Sequence, residues 1–387
     1  MRKLKAAVIF GTRPDAVKMA SLVKELKMNS SSIDTIVCVT AQHRQMLDQV
    51  LDIFNLVPGY DLDIMQERQS LEHITTKALE GMASVFEKER PDIVLVHGDT
   101  TTCFAASLAA FYKKIKVGHV EAGLRTFDKY YPFPEEINRR LAGVLADFHF
   151  APTPLNKENL LREGVNEKSI YVTGNTVIDA LKTTVREDYI FHDEKLRSID
   201  FAGKRLIVVE AHRRENLGPP MENICKAVKA ITERYEDTIA VYPVHLNPAV
   251  RETAWSILGD CPGVHLIDPI DVQDMHNLID RSYMVMTDSG GLQEEAPALG
   301  KPVLVLRNET ERPEAVEAGT VALAGTCMDG IIALASRLLE SKDEYNRMAR
   351  AVNPYGDGNA SKRIVKAILY EFGLSNERPA EFRSQVR

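Results

Sequence analysis

Nine short runs of β-branched and aliphatic residues, separated by longer stretches of helical periodicity, constrain this chain more than any other feature. In the first half they fall at residues 6–10, 35–40, 93–97 and 116–120. In the second half they fall at 206–209, 239–244, 264–267, 284–287 and 302–306. Most are apolar on both faces, as strands of a parallel sheet covered by helices must be. The pattern predicts α/β architecture in each half, as two sheets rather than one. At 387 residues the chain exceeds a comfortable single core, so two domains are expected. The segment 173–203 has few apolar strands and more charge, which places the boundary near residue 170. The expected division is a first domain over 1–170 and a second over 171–359. A turn at 353–359 then leads into a helix at about 360–373, and the polar tail 374–387 is expected to fray.

Composition excludes several classes of function. The net charge is −7 and no Lys/Arg block interrupts it, which argues against nucleic-acid binding. The five cysteines are far apart and form no Cys-x-x-Cys pair, so neither a zinc site nor a disulfide framework is indicated. Buried reduced thiols and a cytoplasmic location are the expectation. The apolar run near the start is too short for a signal peptide, and no stretch approaches the ~18 apolar residues of a membrane span.

Ligands of open parallel sheets sit at the carboxyl ends of the strands, so those ends are where function is sought. The run Asp288-Ser289-Gly290-Gly291-Leu292-Gln293-Glu294-Glu295 follows a buried strand and enters a helix. A side-chain-poor turn at a helix N-terminus exposes backbone N–H groups and is a seat for phosphate. A carboxylate in the next turn, Glu294 or Glu295, can accept from two ribose hydroxyls. An ordinary N-capped turn would look the same in isolation. Other strand ends also carry reactive groups: Gly11-Thr12-Arg13-Pro14-Asp15, His97-Gly98-Asp99-Thr100-Thr101-Thr102, His119-Val120-Glu121 and Glu210-Ala211-His212-Arg213-Arg214-Glu215-Asn216.

No Gly-x-Gly-x-x-Gly follows a strand and no Walker lysine motif occurs, so neither NAD nor ATP is supported as a cofactor. There is no metal-ligand spacing and no Gly-x-Ser-x-Gly elbow. What remains is a phosphate seat, arginines and a set of carboxylates with a histidine. Arg13 and Arg312 suit a diphosphate, because guanidinium pairs phosphate oxygens bidentately; a surface ion pair is the plainer alternative. Lys18, one or two turns into the first helix, is either a further phosphate contact or a solvated helix lysine. Asp99, Glu121 and Glu135 are acid/base candidates, although Glu135 or Glu136 can equally be a helix cap. Several carboxylates in one cleft repel, so at least one pKa should rise. His212 completes the set.

Five segments in order then identify a family. They are Gly11-Thr12-Arg13-Pro14-Asp15-Ala16-Val17-Lys18-Met19, Gly98-Asp99-Thr100-Thr101-Thr102, His119-Val120-Glu121-Ala122-Gly123-Leu124-Arg125-Thr126, Ala211-His212-Arg213-Arg214-Glu215-Asn216 and Asp288 to Glu295. Together they resemble the non-hydrolysing UDP-N-acetylglucosamine 2-epimerases of bacteria, over roughly residues 1–373. The resemblance implies the GT-B fold: two Rossmann-like domains facing each other across a cleft, with a C-terminal helix crossing back to the first. It also implies epimerisation at C2 without NAD, metal or other cofactor, by elimination of UDP to 2-acetamidoglucal and re-addition. By motif, Asp99, Glu121, Glu135 and His212 match the catalytic set. Arg13, Lys18, Ser289, Gly290, Gly291, Glu295 and Arg312 match the nucleotide contacts, with Glu295 on the ribose. Gln42, His43, Gln45 and Arg68, with Glu136, Arg213 and His245, match the lining for a second UDP-N-acetylglucosamine that acts as activator. The implied partners are UDP-N-acetylglucosamine, UDP and a second copy of the chain, with no nucleic acid and no membrane.

Two positions depart from the family pattern. Glu210 stands where Thr is usual, and adds negative charge close to His212. Val272 stands where an aromatic passes the uracil. Within enzymes the rival readings are a GT-B glycosyltransferase and a hydrolysing epimerase. Outside them it is a nucleotide-sugar sensor, which has no need of Asp99, Glu121 and His212 together at strand ends.

Overall fold

The computed structural model describes residues 2–42 and 44–383. The chain divides into two compact units. The first runs to Thr183 and takes in Tyr355–Arg383; the second is Thr184–Pro354. The division therefore falls later than residue 170, because a strand at Ile170–Val172 and the helix Thr176–Thr184 follow the expected boundary and complete the first unit.

The first unit holds seven parallel strands: β1 (Leu4–Phe10), β2 (Ile33–Val39), β3 (Tyr60–Asp61), β4 (Ile93–His97), β5 (Lys116–Val120), β6 (Phe148–Ala151) and β7 (Ile170–Val172). Their order is β3-β2-β1-β4-β5-β6-β7. The second unit holds six: β8 (Arg205–Glu210), β9 (Thr238–Pro243), β10 (Val264–Ile267), β11 (Met284–Thr287), β12 (Val303–Val305) and β13 (Val321–Leu323), in the order β10-β9-β8-β11-β12-β13. All nine expected strands are present within two residues at either end. Those not anticipated, β3, β6, β7 and β13, lie at or toward the sheet edges and are only two to four residues long, too short to show a pattern. Each unit is the parallel-sheet α/β type that the apolar runs imply, with its own core. Ile9, Val94, Val96, Val117 and Phe86 are buried together in the first. Ile207, Val209, Tyr242, Met284, Met286 and Leu304 are buried together in the second. Each such side chain contributes roughly 1.5–3 kcal/mol on leaving water.

In both sheets the chain builds outward from one central strand, then returns to that strand's other side. The reversal lies between β1 and β4 in the first unit and between β8 and β11 in the second. Such a switch point leaves a crevice beyond the carboxyl ends, because the two flanking loops depart in opposite directions. The loops at these points are 11–15 with 98–102, and 211–216 with 288–291.

The last helix is Ala360–Glu371 and belongs to the first unit, as the resemblance implies. The tail expected to fray does not do so over residues 374–383. Arg378 donates to the carbonyls of Lys168 and Ile170, its guanidinium lies 4.2 Å from the Tyr171 ring centre, and the Phe382 N–H donates to Val172. A polar composition concealed this, because the docking groups are one buried phenylalanine and one arginine held over an aromatic face. No helix among the described residues is long and apolar enough to cross a membrane.

Candidate active site

At the first unit's switch point the backbone is held by buried hydrogen bonds. The Asp15 carboxylate accepts from Gly11 N at 3.1 Å, Thr12 N at 2.8 Å and Thr12 Oγ1 at 2.6 Å, which caps the helix Arg13–Met28. Gly11 has no room for a side chain: a Cβ there would stand 2.0 Å from Thr40 Oγ1 and 2.6 Å from Thr102 Oγ1. Those hydroxyls bond to each other at 2.8 Å. Arg13, at the first helical position, is half-buried beside this turn.

Glu121 follows β5 with φ +62°, a left-handed conformation that costs a non-glycine residue energy and is kept where the surroundings over-determine it. Lys18 forms a close ion pair with its carboxylate, and Asn175 Nδ2 donates to the same oxygen at 2.7 Å. His97 Nε2 lies 3.7 Å away. Lys18, expected on the nucleotide, thus stands beside Glu121. Asp99 is paired with Arg139, and Asn138 Nδ2 donates to the Asp99 carbonyl at 3.0 Å. Glu135 lies in the first turn of the helix Glu135–Leu145, and its carboxyl is raised by burial and by the Asp99 charge. The first unit therefore supplies a fixed carboxylate, Glu121, an Asp99 paired with Arg139, and a Glu135 whose carboxyl burial raises.

Glu136 has a different part. It is fully buried, and its oxygens accept from Thr126 N at 3.1 Å and Phe127 N at 3.2 Å. Arg139 Nη1 approaches at 3.4 Å. These bonds anchor the loop before the helix. The segments around Gln42 and Arg68 do meet: Gln69 Nε2 donates to the Gln42 carbonyl at 2.9 Å, and Thr102 Oγ1 lies 3.3 Å from Gln42 Oε1. Arg68 is exposed and has φ +54°. Gln45 lies in the helix Arg44–Phe54, and His43 lies outside the described residues.

At the second unit's switch point the fully buried Asp288 organises the neighbouring loop. Its Oδ2 accepts from His212 N at 2.9 Å, Arg213 N at 2.9 Å and Asn216 Nδ2 at 2.8 Å. This fixes the backbone of His212, whose ring stacks on His245 with centres 5.1 Å apart. Glu210 Oε1 lies 3.6 Å from His212 Nδ1, as the departure from the family pattern suggested. Burial raises the Glu210 carboxyl, and the His212 charge opposes that rise. Ser289, Gly290 and Gly291 form the turn before a short helix, Leu292–Ala298. A Cβ built on Gly290 would lie 3.7 Å from Nη2 of both Arg213 and Arg312, so two guanidinium groups flank a position without a side chain. Arg312 also pairs with the buried Glu294, and Arg213 Nη1 lies 3.4 Å from Glu311. Glu295 is the more accessible of the two adjacent glutamates. Val272 opens the helix Val272–Arg281 behind its cap, Asp271.

Sequence reasoning missed Asn175, Arg139 and Asp288 as partners of the reactive groups. Asp288 was quoted only as the end of a strand. Arg139 carried a usable signal, since it lies three residues beyond Glu136 on the same helical face. Asn175 carried none. Among the described residues one trio, His192, Asp271 and Asp274, has metal-ligating atoms within 4.8 Å of one another. Its carboxylates already accept from Gln273 N, Tyr189 OH, His192 N and Asp193 N, and so act as a clasp for the segment 189–193.

Comparison with known proteins identifies a family. A family profile described as UDP-N-acetylglucosamine 2-epimerase matches residues 24–369. The UDP-N-acetylglucosamine 2-epimerase of Bacillus subtilis (strain 168) is 58% identical over 383 residues, covering 99% of both chains. The S. aureus MnaA–UDP co-structure is similar at 50% identity and TM-score 0.89, over 98% of this chain and 100% of that one. The UDP-GlcNAc 2-epimerase from Neisseria meningitidis, solved bound to UDP-GlcNAc, is similar at 49% identity and TM-score 0.87, over 95% and 100%.

Proposed function

Since the chain belongs to the UDP-N-acetylglucosamine 2-epimerase family and shares its GT-B-like fold of two parallel-sheet α/β domains, we propose that it interconverts UDP-N-acetylglucosamine and UDP-N-acetylmannosamine by elimination and re-addition of UDP. The observation that carries this reading is the division of chemistry between the switch points. The first holds Asp99, with Glu121 at the end of the neighbouring strand β5 and Glu135 at the start of the helix Glu135–Leu145 as further proton-transfer groups. The other holds a glycine turn flanked by Arg213 and Arg312, with His212 and Glu295 nearby.

The substrate explains why both are needed. The C2 hydrogen is not acidic, because its neighbour is an amide nitrogen and not a carbonyl. A base therefore removes it as the C1–O bond to UDP breaks, and the pair of electrons from C–H forms the double bond of 2-acetamidoglucal. UDP then adds back at C1 while C2 is protonated on the opposite face. Arg13, Arg312 and the turn at Ser289–Gly291 stabilise the departing diphosphate; losing one such donor costs about 3 kcal/mol. Glu121, paired with Lys18, suits the part of base, and Glu135, whose carboxyl burial raises, suits that of acid. Incubation with UDP-N-acetylglucosamine in deuterated water, followed by NMR, should show deuterium at C2 of both epimers. Transfer to an acceptor, release of free N-acetylmannosamine, or no exchange at all would favour the glycosyltransferase, hydrolase or sensor reading in turn.

Gln42, Gln45 and Arg68 further support activation by a second UDP-N-acetylglucosamine, with His43, Arg213 and His245 as additional contacts. The activator acts by binding the reactive conformation more tightly than its alternative. The reverse reaction from pure UDP-N-acetylmannosamine should then be nearly silent until a trace of UDP-N-acetylglucosamine is added. Arg68→Ala should abolish that response with UDP affinity intact. Brisk reverse turnover without a lag would rule activation out and leave the epimerase reading standing.

A further inference from the structure

The Glu295 carboxylate is held by a buried relay that no step of the reaction uses. Its Oε2 lies 3.3 Å from His276 Nε2, and His276 is 1% exposed. On the other side of the ring, His276 Nδ1 lies 2.7 Å from Thr184 Oγ1, whose residue is fully buried. Thr184 is itself pinned to the helix that carries His276. Asn277 Nδ2 donates to its carbonyl at 2.8 Å, and Asn277 Oδ1 accepts from Arg186 N at 3.0 Å. The other oxygen of Glu295 faces the glycine turn, since a Cβ on Gly291 would lie 3.4 Å from Oε1. One oxygen is thus fixed from behind while the other looks toward the place of the nucleotide.

We propose that His276 is a positioning residue for the nucleotide: it orients the Glu295 carboxylate to accept the ribose hydroxyls, and thereby sets the site's preference for ribonucleotides. A carboxylate accepts two hydroxyls only in one plane, and a glutamate side chain has three torsions that must be held to keep it there. A buried ring held at both nitrogens does this. The Thr184 hydroxyl bonds to Nδ1, which turns Nε2 toward Glu295 whichever of the two groups donates. The inference rests on Glu295 as the ribose contact.

The test compares UDP with 2′,3′-dideoxy-UDP by calorimetry on the full-length protein. The wild type should prefer UDP by a factor on the order of ten or more, as expected for hydrogen bonds to a charged group. Glu295→Gln tests the underlying reading and should bring that ratio close to one. His276→Asn keeps a polar atom near Thr184 but cannot reach Glu295, so the ratio should also collapse while affinity for the dideoxy compound is unchanged. His276→Gln places an amide where Nε2 stood and should restore most of the preference. Thr184→Val, a smaller change that removes only the ring's lock, should reduce the ratio partway. If Glu295→Gln collapses the ratio and His276→Asn and Thr184→Val do not, or if they weaken both ligands equally, His276 has no positioning role. If Glu295→Gln leaves the ratio intact, the ribose assignment fails first, and this inference with it.

Discussion

Glu121→Gln and Asp99→Asn should each lower turnover by roughly 10²–10⁴-fold, the range expected for loss of a positioned acid or base. Affinity for UDP should stay within about twofold if, as proposed, both groups serve the sugar and not the nucleotide. Glu121 is the sharper case. Gln keeps the size and can still accept from Asn175 Nδ2, but it removes the charge opposite Lys18 and the basic oxygen with it. Glutamine meets the same cost as glutamate at the left-handed backbone of residue 121, so the substitution adds no strain there. In Asp99→Asn, Arg139 loses its ion-pair partner at Asp99 while the loop remains tied by Asn138 to the Asp99 carbonyl. Steady-state rates with calorimetric UDP binding separate the two effects. Near-normal turnover in either variant would remove that residue from the acid/base set, and a parallel collapse of UDP affinity would mean the substitution had disturbed the fold.

Acid should destabilise the first unit well before the second. Three histidines on adjacent strands are buried there: His97 ends β4, His119 lies in β5 and His149 in β6. Burial lowers them to about 4, about 3 and about 4, with nearby charges adding smaller effects: Glu121 and Lys18 around His97, Arg125 around His119 and His149. An unfolded histidine titrates near 6.5, so below that pH the unfolded chain binds more protons than the native one. Stability from these groups is complete above about pH 6.5 and is lost as pH falls toward their native values. Each costs up to about 1.4 kcal/mol per pH unit, and the three together about 5 kcal/mol between pH 7 and pH 5. Asp15 and Asp179, whose carboxyls burial raises, act in the opposite sense and offset part of this. The only tryptophan, Trp255, lies in the second unit and reports on it separately. Far-ultraviolet dichroism should therefore change on acidification before Trp255 fluorescence does. Coincident transitions, or none down to pH 5, would count against this account.

Much of the molecule was legible in the order of its residues, for identifiable reasons. Central strands must be apolar on both faces, so β1, β4, β8 and β11 announce themselves. Strands such as Tyr60–Asp61 and Phe148–Ala151 need no such pattern, because one side or one edge is less demanding. The reactive groups were legible because they end strands. Their partners were not, since Lys18 with Glu121, Arg139 with Asp99 and Thr184 with His276 join positions that no local period relates. The loop contacts of Glu136 were hidden for the same reason, since its oxygens bond the backbone of Thr126 and Phe127, ten and nine residues away.

The return of residues 355–383 to the first unit has a consequence for how the protein is made. Synthesis delivers the first unit's seven strands early, yet its helix Ala360–Glu371 and the Phe382 contact emerge only after the whole second unit has been translated. The nascent first sheet must wait with the face meant for that helix uncovered, the condition in which an incomplete domain is most prone to associate with its neighbours. The second unit, continuous from Thr184 to Pro354, has no such wait. While residues up to Pro354 have left the ribosome and Tyr355–Arg383 have not, the second unit is thus complete and the first, although begun earlier, is not.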